Sequence, residues 1–96
     1  MTGYMYILEC SDGSFYVGST QNVESRLEQH NSGQGSRYTR CRLPVRLVYQ
    51  HECSTIAEAY ALEKRVQNWS RGKRKALIAG DYVLLQQLSR NRQDGA

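Results

Sequence analysis

The sequence predicts one small domain of the α/β class in its α+β form, with a three-stranded β-sheet flanked by α-helices. Three observations predict this fold: two strand-like segments joined by an Asp-Gly turn, a third strand-like segment after the single proline, and helical patterns on both sides of that third segment. The 96 residues suffice for one hydrophobic core but not for a catalytic domain plus a recognition module. We therefore expect a single domain over 1–96, with a core over about 3–80 and a C-terminal helical extension over 81–90.

The first two strands are predicted over 3–10 and 14–20, which are rich in Tyr, Val, Ile and Phe. Ser11-Asp12-Gly13 lies between them, and Asp-Gly is a strong signal for a tight turn, so the two segments are expected to pair as a hairpin. Side chains alternate between the two faces of a strand. Tyr6 and Tyr16 can therefore lie side by side.

The first helix is predicted from Val23 to about Asn31, with Asn22 as its N-cap. Arg26 and His30 are four residues apart within it. Residues at this spacing share one face of a helix. We therefore expect both side chains on the same side of the domain.

The segment 32–43 combines glycines with arginines and ends before Pro44, which predicts a loop. Its arginines can contact phosphates, and they can equally belong to an ordinary solvated surface. The apolar segment 45–49 then predicts the third strand. A long helix follows to about residue 70, opened by the capping-box pattern Thr55-x-x-Glu58, and two shorter helices are predicted near 73–79 and 81–90.

Thirteen Lys and Arg against nine Asp and Glu give a formal net charge of +4, which favours a polyanionic partner without proving one. Three cysteines without a C-x-x-C pair imply neither a disulfide framework nor a structural zinc, and they fit a reducing compartment. The N-terminus lacks a basic region before its apolar run, and nothing approaches the ~20 apolar residues of a membrane span. We expect a cytoplasmic protein without membrane anchoring.

The residues with recognisable chemistry are Tyr4-Met5-Tyr6 and Tyr16-Val17-Gly18 on the paired strands, Arg26 and His30 on a helix, and Glu63 on a later one. In this order and at these separations the sequence resembles the GIY-YIG nuclease superfamily, and in particular its small single-domain bacterial, UPF0213-like members. The resemblance runs from about residue 3 to residue 80. Each short piece is a weak signal alone, and the ordered set is a strong one.

The resemblance implies a central three-stranded antiparallel sheet flanked by helices, and cleavage of phosphodiester bonds with a single divalent ion, Mg²⁺ or Mn²⁺. By position, it implies that Tyr6, Tyr16, Arg26 and His30 are catalytic and that Glu63 binds the metal. The sequence departs from the family pattern at two positions that support the site in other members. Ser19 stands where the DNA-repair branch of the family has a lysine, and the family's asparagine, about a dozen positions beyond the glutamate, falls near Lys75.

The residue types suit this chemistry for physical reasons. A carboxylate such as Glu63 can hold Mg²⁺ or Mn²⁺ with water and phosphate oxygens completing the shell, and Arg26 can fork two donors onto phosphate oxygens. Tyr16 is the candidate general base, although a phenol of pKa ~10 needs a neighbouring cation or metal to act at neutral pH. Tyr6 is expected to hydrogen-bond to the attacking water or to Tyr16, and His30 to orient a tyrosine or receive a proton.

Each of these residues also has an ordinary structural interpretation when taken alone. Strand tyrosines usually pack with a satisfied hydroxyl, Arg26 can be a solvated helix charge, and Glu63 can be an i,i+4 partner of Gln67. Only the joint arrangement favours a site.

We therefore predict a metal-dependent DNA endonuclease with a possible role in DNA repair, selective for structure rather than sequence. Single-stranded, damaged or branched DNA are the candidate substrates, RNA is an alternative, and no obligate protein partner is indicated. The residues expected to contact nucleic acid share a positive charge and are Arg37, Arg40, Arg42, Lys73 and Lys75. A non-catalytic nucleic-acid-binding module with the same fold is the competing hypothesis, and a protein-interaction domain ranks last.

Overall fold

Along the part of the chain that the structure describes, a pair of strands is followed by two helices, a third strand and three further helices. This computed structural model describes the backbone of residues 2–94 and the side chains of residues 2–88. In chain order the elements are β1 (Gly3–Glu9), β2 (Phe15–Thr20), α1 (Val23–Asn31), α2 (Arg37–Arg40), β3 (Arg46–Cys53), α3 (Ile56–Gln67), α4 (Arg71–Ala79) and α5 (Tyr82–Asp94). None of the helices in these ranges combines the length and apolar character that crossing a bilayer requires.

The sheet has the strand order β2-β1-β3, and both pairings are antiparallel. This confirms the predicted fold class, a three-stranded antiparallel sheet flanked by helices. In the register of the hairpin, Tyr6 lies opposite Gly18 and Leu8 lies opposite Tyr16. Tyr6 and Tyr16 are therefore diagonal neighbours on one face of the sheet, because side chains two residues apart point the same way.

The central strand β1 is buried on both faces, and its alternate residues divide the core in two. Met5 and Ile7 pack with residues of β2, α3 and α4, including Val66 and Leu77. Tyr6 and Leu8 pack on the opposite face in a cluster completed by Cys10 and Val45. The tyrosine of the first motif is thereby built into the hydrophobic core rather than left on the surface.

Side-chain caps start the helices that carry the candidate site residues. Asn22 Oδ1 accepts from the Ser25 amide at the start of α1. Thr55 Oγ1 accepts from the Glu58 amide, and the Glu58 carboxylate accepts from the amide of Ser54. The predicted capping box is therefore present, with its return bond one residue earlier than in the usual pattern.

The predicted loop over 32–43 is interrupted by α2, a single helical turn at Arg37–Arg40. Ser36 caps this turn by accepting from the Thr39 amide at 3.1 Å. Four residues are too few to show a helical repeat of apolar side chains, so hydrophobic periodicity does not reveal such a turn.

Strand β3 runs from Arg46 to Cys53 and is longer than the segment 45–49 predicted from its apolar residues. Its second half is mostly exposed, and it is held by pairing with β1, for example His51 opposite Met5. Hydrogen bonds to a neighbouring strand extend β3 beyond its apolar part. Helix α5 likewise extends past the predicted 81–90.

Candidate active site

A buried chain of hydrogen bonds joins β1 to α1 and α2. Tyr6 Oη lies 3.0 Å from His30 Nε2, and His30 Nδ1 lies 2.8 Å from Thr39 Oγ1. Thr39 Oγ1 also lies 3.2 Å from the carbonyl oxygen of Ser36, which can only accept. A Thr39 hydroxyl that donates to that carbonyl accepts from Nδ1–H, and this tautomer leaves Nε2 of neutral His30 to accept the Tyr6 hydroxyl proton.

Two glycines make room for this chain. A Cβ on Gly18, opposite Tyr6, would lie 2.5 Å from Tyr6 Oη. A Cβ on Gly35 would lie 2.7 Å from Cγ of the His30 ring. A Cβ atom does not come this close to atoms it is not bonded to, so both positions need a residue without a side chain for the rings to sit where they do.

Burial sets the protonation of the Tyr6–His30 pair. It raises the pKa of Tyr6 to about 12, and the nearby Arg26 guanidinium opposes only part of this rise. Burial also lowers the pKa of His30 to about 4, and the positive charge of Arg26 adds to this effect. Near neutral pH both side chains are therefore uncharged, and Tyr6 is a proton donor rather than a base.

Tyr16 lies on the open side of this pair and is half-buried. Its ring centroid is 5.2 Å from that of His30 in an edge-on arrangement and 6.5 Å from that of Tyr6. The structure thus brings together three of the residues predicted from their order in the sequence. Of the two tyrosines, Tyr16 has the greater access to solvent.

Glu63 is buried on α3, with 8% of its surface exposed, and both of its oxygens accept hydrogen bonds. Ser19 Oγ on β2 donates to Oε1 at 2.6 Å, and Gln67 Nε2 donates to Oε2 at 2.7 Å. Gln67 Nε2 also lies 3.2 Å from the carbonyl oxygen of Val17. The predicted i,i+4 contact with Gln67 exists, but it holds a buried carboxylate against the edge of the sheet.

Arg26 is half-buried on α1, and its Nη1 donates to Gln29 Oε1 at 2.8 Å. Its charge lowers the pKa of Tyr6, whereas the negative charge of Glu63 raises it. Both charged groups are therefore close enough to act on the Tyr6 hydroxyl. The charges of Arg26 on α1 and Glu63 on α3 therefore both affect the pKa of Tyr6.

Glu63 would be the protein ligand of a divalent ion that takes its other ligands from water and substrate. The described residues contain no group of three or more His, Cys, Asp and Glu side chains that could hold a metal. Glu63 is nevertheless a nearly buried carboxylate whose ion-pair partner, Lys64 Nζ, is 3.7 Å away. Each carboxylate oxygen can accept more than one bond, so Glu63 fits a hard cation whose other ligands are water and substrate oxygens.

Comparison with known proteins identifies the family. A family model described as the GIY-YIG catalytic domain matches residues 2–76. The chain belongs to the GIY-YIG family. This confirms the resemblance found in the sequence, and it makes the protein a member of a nuclease superfamily whose substrates are nucleic acids and whose members generally use divalent metal ions.

Curated relatives of this GIY-YIG protein include UPF0213 proteins of staphylococci. It is 45% identical over 76 residues to one from Staphylococcus saprophyticus, covering 79% of this chain and 93% of the relative. It is 45% identical over 75 residues to one from Staphylococcus aureus, covering 78% of this chain and 92% of the relative.

Two solution NMR structures resemble this GIY-YIG protein. One is a UPF0213 protein from Bacillus halodurans, with 44% identity, a TM-score of 0.54, and coverage of 82% of this chain and 84% of that one. The other is a protein from E. faecalis, with 34% identity, a TM-score of 0.58, and coverage of 86% and 88%.

The basic residues expected to contact nucleic acid differ in exposure. Arg37, Arg40 and Lys75 are exposed on α2 and α4. Arg42 is held by Asp12, with Nε 3.0 Å from Oδ2. Lys73 is buried, with Nζ 4.1 Å from the centre of the Trp69 ring, a position that favours packing over a phosphate contact.

Several supporting residues of this GIY-YIG site were missed in the sequence. Thr39 and Gly35 shape the surroundings of His30, while Ser19 and Gln67 hold Glu63. The Ser36-x-x-Thr39 cap pattern was the available signal for α2. Ser19 departs from the family pattern, yet its hydroxyl donates to the candidate metal ligand Glu63.

Proposed function

We propose that this protein is a metal-dependent endonuclease that hydrolyses phosphodiester bonds in DNA and selects structure rather than sequence. The observation that carries the proposal is the cluster formed by Tyr6, Tyr16 and His30, in which the Tyr6 hydroxyl also feels the charges of Arg26 and Glu63. Phosphodiester hydrolysis needs a base, a cation on the phosphate and stabilisation of the leaving oxygen. Membership of a nuclease superfamily supports assigning these tasks to this cluster.

Each side chain receives one role. Arg26 binds non-bridging phosphate oxygens, and Glu63 holds Mg²⁺ or Mn²⁺ together with water and substrate. When bound, the ion supplies a Lewis acid that stabilises the departing oxygen. Tyr16 would act as a phenolate, which requires a neighbouring cation or the bound ion to favour loss of its own proton, and would then take the proton from the attacking water. Tyr6 gives its own proton to His30 in a hydrogen bond, so its oxygen is left to accept one from that water or from Tyr16.

Contacts with the DNA backbone are assigned to the exposed members of the predicted basic set, Arg37, Arg40 and Lys75. Phosphate contacts position a protein on nucleic acid without reading its sequence. None of these three residues is assigned to reading bases, so the proposal favours selection by DNA structure over selection by sequence.

The test is incubation of the purified protein with labelled single-stranded, duplex and branched DNA in Mg²⁺ or Mn²⁺. We expect cleavage that stops with a chelator and falls at least about 100-fold in Glu63→Gln and Arg26→Lys, because each removes a group required in the transition state. Glu28→Gln is the matched control, since Glu28 is an exposed carboxylate on α1. Undiminished cleavage by Glu63→Gln would refute the assignment.

A second function has one observation in its favour. Both Glu63 oxygens are engaged by Ser19 and Gln67, and Glu63 has no further acidic partner among the described residues that would form a metal cluster. A nucleic-acid-binding module that kept the fold without catalysis fits this arrangement. It predicts binding that is insensitive to chelator and weakens with salt, with no cleavage of any of the three substrates.

A further inference from the structure

A groove of about 320 Å³ runs beside Tyr16 along the free edge of β2. Its lining residues come from β2, α2, α3 and α4 and are Phe15, Tyr16, Val17, Tyr38, Gln67 and Arg74. We propose that this groove binds an unpaired nucleobase of the substrate, on a nucleotide next to the phosphate that is cut. The proposal rests on the proposed nuclease function and adds a binding subsite to it.

Two aromatic rings supply the walls. The Tyr16 and Tyr38 ring centroids are 6.3 Å apart, with their planes 26° from parallel, and 38% of the Tyr38 surface is exposed. Aromatic side chains bind unpaired bases by stacking, whatever the base, and losing one such contact weakens binding roughly 5- to 150-fold. The exposed part of Tyr38, next to a candidate general base, suits a base that neighbours the reacting phosphate.

Neighbouring side chains hold the Tyr38 ring in place. The Arg42 guanidinium lies 3.9 Å from the ring centre, and its Nη1 donates to the Tyr38 carbonyl oxygen at 2.9 Å. Asp12 fixes the same guanidinium. Thr39, the next residue of α2, is hydrogen-bonded to His30. The Tyr38 ring is thus connected to the proposed catalytic cluster, and it loses little conformational freedom when a base binds.

Arg74 contributes a hydrogen-bond donor that the protein leaves unused. Its Nε is buried and has no hydrogen-bond partner within the part of the chain whose side chains are described. A buried donor without a partner is rare and costly, and an acceptor brought by a ligand satisfies it. Gln67, the other polar residue of the lining, donates to Glu63. The groove therefore adjoins the candidate metal ligand.

The chemistry of the lining selects among ligands. It contains aromatic and apolar surface, an amide and a guanidinium, and none of its six residues is acidic. This combination favours a flat heteroaromatic group attached to a negative charge, as in a nucleotide. A base that is paired within a duplex is stacked on its neighbours and cannot enter, so the groove favours unpaired positions.

The experiment compares two single strands of equal length and charge, an oligothymidylate and a deoxyribose-phosphate strand without bases. Binding is measured by fluorescence anisotropy in chelator, so that no cleavage occurs. We expect the protein to bind the strand with bases at least about fivefold more tightly. Tyr38→Leu should abolish this preference, and Tyr38→Phe should keep it because the ring remains.

The matched control is Tyr60→Leu, since Tyr60 is also an exposed tyrosine beside a cation, Lys64, but lies outside the groove. Arg74→Lys should weaken binding of the strand with bases, whereas Arg65→Lys, at an exposed position of α3, should not. Equal binding of the two strands by the unmodified protein, or a preference that survives Tyr38→Leu, would overturn the proposal.

Cleavage assays of the same variants separate this proposal from the proposed function. Cleavage in Mg²⁺ or Mn²⁺ without any preference for bases leaves the nuclease assignment standing and rejects the groove. A Tyr38-dependent preference without cleavage on any substrate rejects the nuclease assignment and identifies the groove as the binding site of a non-catalytic module.

Discussion

At the scale of single residues, burial determines how the Tyr6–His30 pair can act. The pKa of Tyr6 is raised to about 12, so this phenol keeps its proton and passes it into a hydrogen bond. His30 is 0% exposed, and its ring is held at both nitrogens. This is why the proposed mechanism assigns the role of base to Tyr16, the tyrosine that is only half-buried.

The lowered pKa of His30 predicts an acid-sensitive fold. The pKa falls from the ordinary 6.5 to about 4 on folding, so between these values the unfolded chain binds more protons. Stability contributed by neutral His30 is present above pH 6.5 and declines as the pH falls towards 4, by up to roughly 3 kcal/mol. Urea unfolding at about pH 7 and about pH 4.5 measures this loss.

The two histidines of the chain provide variant and control for that measurement. His30→Gln should lower stability at neutral pH but lose less on acidification. His51→Gln should behave as the unmodified protein, because His51 is exposed on β3. A His51→Gln protein with flattened pH dependence would contradict the assignment to His30.

Thr39 is predicted to position His30 through its hydroxyl. Thr39→Val leaves His30 Nδ1 without its buried partner and should cost about 1–3 kcal/mol of stability. Thr39→Ser restores the hydroxyl and should recover most of it. NMR of the His30 ring nitrogens reports the effect directly, since a purely steric role of Thr39 would leave the Nδ1 proton in place in Thr39→Val.

At the scale of elements, the hairpin and α1 meet because two glycines allow them to. Strand β2 approaches Tyr6 at Gly18, and the chain leaving α1 passes the His30 ring at Gly35. The first approach depends on the pairing register of β1 and β2, which places Gly18 opposite Tyr6. A shift by one residue would move Tyr6 to the other face of the sheet.

Gly18→Ala is therefore predicted to destabilise the protein by about 1–3 kcal/mol, because the new methyl group overlaps the Tyr6 ring within the core. Gly72→Ala is the matched control. Gly72 lies in α4, and a Cβ added to it would have no atom nearby. The same change there should therefore leave stability unaltered or raise it by up to about 1 kcal/mol through helix propensity. Thermal unfolding of both variants decides between these outcomes.

At the scale of the whole molecule, the formal net charge of +4 acts through the residues that reach solvent. Arg37, Arg40 and Lys75 are exposed, while Lys73 is buried against Trp69. The net charge by itself therefore does not tell which cations a nucleic acid can reach.

Binding of single-stranded DNA is predicted to weaken with salt, and each phosphate contact removed should reduce the slope of log affinity against log salt by about 0.7. Arg40→Gln should show this reduction. Arg65→Gln should not, because Arg65 lies outside the predicted basic set although it is equally exposed. The same slope for both variants would mean that the contacts are distributed differently.

Much of the fold could be predicted from local patterns. The Asp-Gly turn, the Asn22 and Thr55 caps and the apolar repeat of α3 depend on residues that are neighbours in the chain. The turn α2 and the polar half of β3 could not, since one is too short to show a repeat and the other is held by its partner strand. The five proposed site residues could be predicted from their order and separation in the sequence, whereas the residues that hold them in place could not.

The sequence by itself determined the class of fold and the family, and it indicated the residue types that are proposed to carry the chemistry, because turns, caps, periodicity and ordered motifs are properties of the chain. Only the tertiary structure decided that Tyr6 is buried in contact with His30, that Ser19 holds Glu63, and that Arg74 lines a groove while its buried Nε has no partner among the described side chains. The first two contacts join residues 24 and 44 positions apart. Contacts at such separations are set by strand register and helix packing, which no local pattern encodes.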